Sequence, residues 1–440
     1  MSIPGKEARQ PPREKGSTAE EDDGACPSVL RAVGKYPPDC HRGLWSAIRA
    51  YRTEIWLIVY HGCFSQRKVS VFSWKGEIFL RITDLRIGRL SLPLAHPFKT
   101  ALRTVERIED VAVMVVGEDG SVGYGEAPPT AVITGDTTGS ILCAIEDYIR
   151  PAIVGMELDD LSAVMEKLNA CLVHNTSPKA AVDMALYDLW AKSQGKPLYQ
   201  LLGNARSSFE TDLTISVNQV DEMVKDALEA VRRGFTTLKI KVGKEGLADI
   251  DRVTSIRKAV GNDIQLRVDA NQGWTAAQSV AIIKTMEARG LNIQLVEQPV
   301  PADDIAGLKY VSGQVDTPIL ADEAVFSPTD AANLIAIRAC DYINIKLMKT
   351  GGIWNALKIC ELAKQHGMEC MIGCMLESQV AVSAAAHLCG GQGAITMADL
   401  DGPSLCASEP FPGGPVFDGP TIRLNDTPGI GIELPGEIFG

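Results

Sequence analysis

Residues 264–297 read IQLRVDANQGWTAAQSVAIIKTMEARGLNIQLVE. Ile264–Asp269 is a short β-rich run that ends on an acid, and Ile293–Glu297 repeats that description. Between them lies room for one helix. Strand, helix and strand with short connections form the unit of a parallel sheet, because parallel neighbours need a crossover. The same unit recurs on both sides. β-Rich runs fall at Thr211–Val217, Thr236–Val242, Pro318–Asp322, Tyr342–Leu347, Glu369–Cys374 and Ala394–Asp401. Reference residues near the ends stand at 214, 241, 269, 297, 322, 346, 373 and 399, in steps of 24 to 28 residues. Eight even units close naturally into a parallel barrel. An open doubly wound sheet is the alternative, and the lack of a GxGxxG turn argues against it.

Outside this stretch the chain changes character. Its 440 residues and 47.3 kDa exceed one ordinary domain. With 45% hydrophobic and 22% charged residues it is globular rather than wholly disordered. A net charge of −12 argues against a nucleic-acid-binding face, and no run of 18 apolar residues offers a membrane span. Eleven cysteines at irregular spacing, without a CxxC pair, point to reduced thiols and a cytoplasmic location. Residues 1–77 read as an N-terminal extension, disordered in large part, since the first 43 are polar and rich in Pro, Gly and charge. Within it Leu44, Ile48, Tyr51, Ile55 and Val59 recur at helical spacing and predict a helix over 44–60. Residues 78–204 form an α+β unit, with a hairpin at Val111–Val116 and Val122–Gly125 and helical periodicity from Thr138 to Ala191. The barrel takes 205–401, and the Pro- and Gly-rich segment 402–440 is expected to return to the α+β unit.

Parallel barrels do their chemistry at the C-terminal ends of the strands. There the sequence places Lys239 and Lys241, Asp269, Glu297, Asp322-Glu323, Lys346, and Asp399 with Asp401. Buried charges are costly unless paired or bound to a metal. A network of buried ion pairs accounts for any one of them, but less well for so many at matching ends. Asp269, Glu297 and Asp322, on three consecutive strands, offer hard oxygen ligands that suit Mg²⁺. Lys241 and Lys346 stand four strands apart in a ring of eight, on opposite sides of the mouth. Two bases on opposite faces of one carbon would invert it, one removing a proton and the other returning one, with the metal stabilising the enediolate between.

These residues carry a resemblance. From Ile78 onward the chain resembles the enolase superfamily, muconate-lactonizing subgroup, and most of all the L-Ala-D/L-Glu dipeptide epimerases. The matching motifs are Lys239-Ile240-Lys241, Asp269-Ala270-Asn271-Gln272-Gly273-Trp274, Val296-Glu297-Gln298-Pro299, Ala321-Asp322-Glu323 and Asn344-Ile345-Lys346. Residues before 76 match nothing in that family. The resemblance implies an α/β fold: a TIM-type (β/α)8-like barrel modified to (β/α)7β, with an α+β capping domain of the enolase type. It implies one Mg²⁺ on Asp269, Glu297 and Asp322, and Lys241, Lys346 and Lys239 as catalytic residues.

The resemblance also implies how a substrate is held. Asp399 and Asp401 would hold a free N-terminal ammonium and repel anions such as muconate. In the capping-domain loop Pro97-Phe98-Lys99-Thr100-Ala101-Leu102-Arg103-Thr104, Arg103 would bind the side-chain carboxylate of the epimerised Glu. The matching stretch Ile133-Thr134-Gly135-Asp136 belongs to the same cap. Thr214, Lys239, Cys374 and Leu376 complete the expected substrate contacts, and Cys374 and Leu376 depart from the Ser and Ile that relatives often carry. The expected reaction is epimerisation of L-Ala-L-Glu at its second α-carbon, in murein peptide metabolism. Alternatives within the subgroup are another dipeptide or N-acyl amino acid, a cycloisomerase or an o-succinylbenzoate synthase. A non-catalytic binding barrel is the alternative from outside it. The implied partner is a small dipeptide, with no nucleic acid and no integral membrane segment; homo-oligomerisation is left open.

Overall fold

The computed structural model describes residues 80–99, 104–243, 245–408 and 411–440, and the backbone of 46–51, 54–61 and 68–74. Met1–Ile78 and Phe79–Gly440 are separate units. In the first, β1 (Ser46–Tyr51), β2 (Glu54–His61) and β3 (Lys68–Trp74) form an antiparallel sheet in that order. Strands therefore replace the helix expected over 44–60. The run Ile55-Trp56-Leu57-Ile58-Val59-Tyr60 is largely β-branched and aromatic, which favours a pleated strand. An uninterrupted apolar run fits helical and strand spacing alike, so periodicity could not separate them. Residues 1–45 lie outside the described residues.

The second unit opens with β4 (Ile82–Lys99), β5 (Thr104–Gly117) and β6 (Val122–Ala127), an antiparallel sheet with the expected hairpin between β5 and β6. The helix Thr176–Ser193 lies directly on β6. A Cβ on Gly125 would stand 1.9 Å from the Ala181 carbonyl oxygen, so only glycine allows this approach.

After the short β7 (Ser208–Glu210) come β8 (Leu213–Ile215), β9 (Thr237–Lys241), β10 (Gln265–Asp269) and β11 (Ile293–Glu297). β12 (Ile319–Ala321), β13 (Tyr342–Lys346), β14 (Glu369–Gly373) and β15 (Ile395–Asp399) follow. These strands, β8 to β15, pair in chain order, all parallel, in an 8-stranded sheet that is nearly closed. Across the seam Asp212 N donates to Ala398 O at 3.3 Å and Leu400 N to Thr211 Oγ1 at 2.8 Å. Each connection between barrel strands carries a helix, whereas β15 is followed only by the 4-residue Gly402–Leu405; this is the (β/α)7β arrangement.

Local chemistry sets these helices. In Thr275-Ala276-Ala277-Gln278 the Thr275 hydroxyl accepts from Gln278 N while Gln278 Oε1 accepts from Thr275 N, a reciprocal cap that starts Ala276–Ala288. Helix Val220–Arg232 buries Met223, Ala227 and Ala230, one stripe at spacings of four and three. Beyond β16 (Val416–Asp418) and β17 (Thr421–Arg423), a hairpin whose second strand pairs with β7, the chain runs back to β6. Asp188 accepts from both Tyr124 N and Ile430 N, and Phe439 stacks on Tyr124 at 6.1 Å. Among the described residues no helix is long and apolar enough to cross a membrane.

Candidate active site

Strand register puts the charged residues in one row. Lys241 pairs with Asp269 across β9 and β10, and Asp269 with Glu297 across β10 and β11. On the far side Lys346 pairs with Gly373 and Gly373 with Asp399. Gly373 makes room there, since a Cβ on it would come within 2.9 Å of Lys346 Cε. Asp322 lies one residue past β12. Asp401 is a difference from expectation: β15 stops at Asp399, and Asp401 adopts helical backbone angles as the cap of Gly402–Leu405. It still faces the same mouth.

One cavity gathers most of these groups. Thr214, Lys239, Lys241 and Lys346 line it from the barrel, with Cys374, Leu376, Asp399 and Asp401 beside them. Phe98, Val132 and Ile133 reach it from the capping domain. Arg103 lies outside the described residues. Asp269, Glu297 and Asp322 are buried beneath the lining.

The lysines hold the acids together. Lys239, 1% exposed, places Nζ 2.7 Å from Glu297 Oε2, 2.7 Å from Asp399 Oδ2 and 3.1 Å from Asp269 Oδ2. Burial alone would favour its neutral form, but Asp399, Glu297 and Asp269 outweigh burial and hold its ammonium well above the ordinary range. Lys241 Nζ lies 2.6 Å from Asp269 Oδ2, and Lys346 Nζ 2.8 Å from Asp322 Oδ2. For Lys346 too burial is overcome, here by Asp322, and its proton is held more tightly than usual.

The acids are unequal. Burial, then Asp269, pushes Glu297 up to about 7. Burial followed by Asp322 and Asp269 pushes Glu323 to about 8. Burial works against ionised Asp399, yet Lys239, Lys346 and Lys241 bring it to about 2. Burial and the neighbouring Asp399 raise Asp401 to about 6, although Thr214 N donates to its Oδ2 at 2.7 Å. Burial, then Glu377 and Asp401, keeps the Cys374 thiol well above its usual range, so it sits in the cavity as a neutral group.

Other residues here have no role assigned from the sequence, although Gln298 and Asn344 stand within its motifs. Lys349 is fully buried, with Nζ 2.6 Å from Asp322 Oδ1. Asn344 Nδ2 donates to Glu297 Oε1 at 2.9 Å, and Gln298 Oε1 accepts from Asp322 N at 2.9 Å. From the capping domain, Glu126 accepts from Ser378 N, Ser378 Oγ and Ala381 N at 2.9, 2.7 and 3.0 Å, fixing the turn that follows Cys374 and Leu376. Asp183 does the same for the helix after Lys346, accepting from Ile353 N at 2.6 Å and Trp354 N at 3.2 Å. A lone lysine in the apolar run Leu347-Met348-Lys349 was the available signal for Lys349.

With lysines on their oxygens, the carboxylates of the described residues form no ready cluster of three or more metal-ligating groups. Their chemistry nevertheless fits a hard divalent cation. Asp269, Glu297, Asp322, Glu323, Asp399 and Asp401 outnumber Lys239, Lys241, Lys346 and Lys349 by two, and Glu323 Oε2 is buried without a hydrogen-bond partner. Glu297 and Glu323 are raised first by burial and then by neighbouring carboxylates, an environment that a bound cation would relieve.

Residues 82–203 match the mandelate racemase/muconate lactonizing enzyme N-terminal domain, and 222–438 the enolase C-terminal domain-like family. An L-Ala-D/L-Glu epimerase of Clostridium acetobutylicum is 54% identical over 352 residues, 80% of this chain and 98% of that protein. The substrate-liganded L-Ala-D/L-Glu epimerase of Bacillus subtilis superposes with a TM-score of 0.79 at 49% identity, covering 80% of this chain and 98% of that one. The dipeptide epimerase of Enterococcus faecalis, complexed with Mg and L-Leu-L-Tyr, gives 0.78 at 41% identity, covering 81% and 100%. This chain belongs to the mandelate racemase/muconate lactonizing enzyme family of the enolase superfamily.

Proposed function

We propose that the protein epimerises dipeptides at the α-carbon of the C-terminal residue, with L-Ala-L-Glu and L-Ala-D-Glu as the interconverted pair. The observation that carries this is the placement of Lys241 on β9 and Lys346 on β13, four strands apart and lining one cavity. An α-carbon between them exposes one face to each amine. The lysine facing the hydrogen takes it in the neutral form, and the opposite lysine, as ammonium, delivers a proton to the other face. Running the reaction backward exchanges the roles. Lys346, kept cationic by Asp322, is ready as a donor. Lys239, buried among acids, stays charged throughout and stabilises negative charge without moving a proton.

Asp269, Glu297 and Asp322 would hold Mg²⁺. When bound, the ion supplies positive charge to a substrate carboxylate, favouring loss of the α-proton, and competes with the lysines for those acids. Asp399 and Asp401 take the substrate ammonium, with Thr214 N orienting Asp401. Cys374 and Leu376 border the pocket for the first residue, and Arg103 takes the carboxylate of a second-residue Glu. The epimerase names of the Clostridium acetobutylicum and Bacillus subtilis relatives support the choice of Ala-Glu. A cytoplasmic location agrees with the unpaired state of every cysteine among the described residues.

The reading is tested by incubating the protein with Mg²⁺ and L-Ala-L-Glu in D₂O. One deuterium per molecule should enter at the Glu α-carbon, with L-Ala-D-Glu accumulating. Absence of label from this and every other dipeptide would remove the proposal.

A further inference from the structure

We infer that Lys349 is a positioning residue that sets which oxygen of Asp322 is available to a cation, an inference resting on the proposed role of Asp322 as a Mg²⁺ ligand. The two oxygens of Asp322 are divided between two lysines. Oδ2 meets Lys346 at 2.8 Å, and Oδ1 meets Lys349 at 2.6 Å. These lysines are three residues apart in sequence but occupy different environments. Lys346 lines the cavity, whereas Lys349 is fully buried and does not.

Lys349 is itself held fast. Its ammonium also donates to the carbonyl oxygens of Asp322 and, at 3.0 Å, Asn344. Two of these contacts are to Asp322, one residue past β12, and the third is to Asn344 within β13, so the ammonium ties the end of β12 to its neighbouring strand. The turn that carries it is anchored from the other side, where Asp183 caps the helix starting at Ile353.

Lys346 sits on a flexible stem at the cavity edge, and a cation can displace it from Oδ2. Lys349 has no open side to swing into. It therefore keeps Oδ1 turned inward and leaves Oδ2 as the single oxygen exposed to exchange between Lys346 and the metal. Remove Lys349 and both oxygens become free for the Lys346 ammonium, which can then span them. Asp322 would be taken from the metal even though a positive charge has gone from its neighbourhood. Geometry and simple repulsion thus give opposite signs for the effect on metal affinity.

Mg²⁺ titrated calorimetrically into the full-length protein decides between them. Lys349→Met, and Lys349→Gln as a shorter variant that still donates a hydrogen bond, should each weaken Mg²⁺ binding by about tenfold or more. Lys358→Met, at an exposed lysine, should bind as the unaltered protein does. Unchanged or tighter Mg²⁺ binding by folded Lys349 variants would overturn the inference, as would failure of both to fold, which would make Lys349 a structural residue. A merely structural lysine lowers the melting temperature and leaves the affinity of the folded fraction alone. If the unaltered protein binds no Mg²⁺, the proposed metal site itself is wrong.

Discussion

The two sides of the barrel mouth are built alike and wired differently. On one side Asp269 is shared by the cavity-lining Lys241 at 2.6 Å and the buried Lys239 at 3.1 Å. On the other, Asp322 is shared by the cavity-lining Lys346 and the buried Lys349. The Lys241 side thus offers two amines to the cavity and the Lys346 side one, because Lys239 also lines it and Lys349 does not. A second difference lies in where the buried lysine goes next. Lys239 continues to Glu297 and Asp399, coupling its side to the pair of acids proposed to hold an ammonium. Lys349 ends on backbone carbonyls. Asp399 in turn feels Lys346 and Lys241 as well as Lys239, so a charge change there should reach both sides of the mouth.

Chelation of Mg²⁺ should treat both sides equally. Turnover is expected to vanish in either direction while circular dichroism reports an intact barrel, because the acids remain paired with lysines. Full activity in metal-free buffer would end the metal-assisted reading. The lysines should separate the sides. Lys241→Ala or Lys346→Ala is expected to slow epimerisation by roughly 10²- to 10⁴-fold, the usual contribution of a positioned acid or base, measured as kcat on Ala-Glu.

Much of this arrangement is legible in the chain, for a definite reason. Strands alternate faces with a period of two, so Lys239 and Lys241 point one way wherever β9 runs, and even spacing supplies the ring. Asp269, Glu297 and Lys346 follow from the same rule because each ends its strand. Asp401 is at the mouth for another reason: the chain turns into a short helix after Asp399, which strand logic does not describe. Lys349 is a turn residue buried only when β12 and β13 come together, so no local pattern marks its partner. Glu126 and Asp183 act across the cap–barrel boundary, over sequence separations of 252 and 170 residues. In the N-terminal unit the period itself misled, because an all-apolar run has no polar face to set it.

Specificity changes should be smaller and leave both cavity lysines in place. Arg103→Met is expected to cost about 2–5 kcal/mol in kcat/KM for Ala-Glu, the penalty for a desolvated charge without its partner, and to spare dipeptides with an apolar second residue. Asp399→Asn should instead weaken all dipeptides together, since every one carries the ammonium. Equal losses for Ala-Glu and apolar dipeptides with Arg103→Met would make that arginine a structural loop residue. The smallest effect is expected from removing residues 1–72. A chain starting at Ser73 should retain most of its kcat, because the groups assigned to the reaction all lie after it. A large loss in folded, truncated protein would place part of the first unit in the site.

The claim that two lysines address opposite faces of one carbon is tested most directly by single-face exchange. Lys241→Ala and Lys346→Ala, each loaded with Mg²⁺ in D₂O, would be given L-Ala-L-Glu and L-Ala-D-Glu separately, and α-deuterium would be read by mass spectrometry. Each variant should label the one stereoisomer whose hydrogen faces its surviving lysine, without inversion, and the two variants should label opposite stereoisomers. Labelling of the same stereoisomer by both would contradict the placement of Lys241 and Lys346 on opposite sides of the substrate.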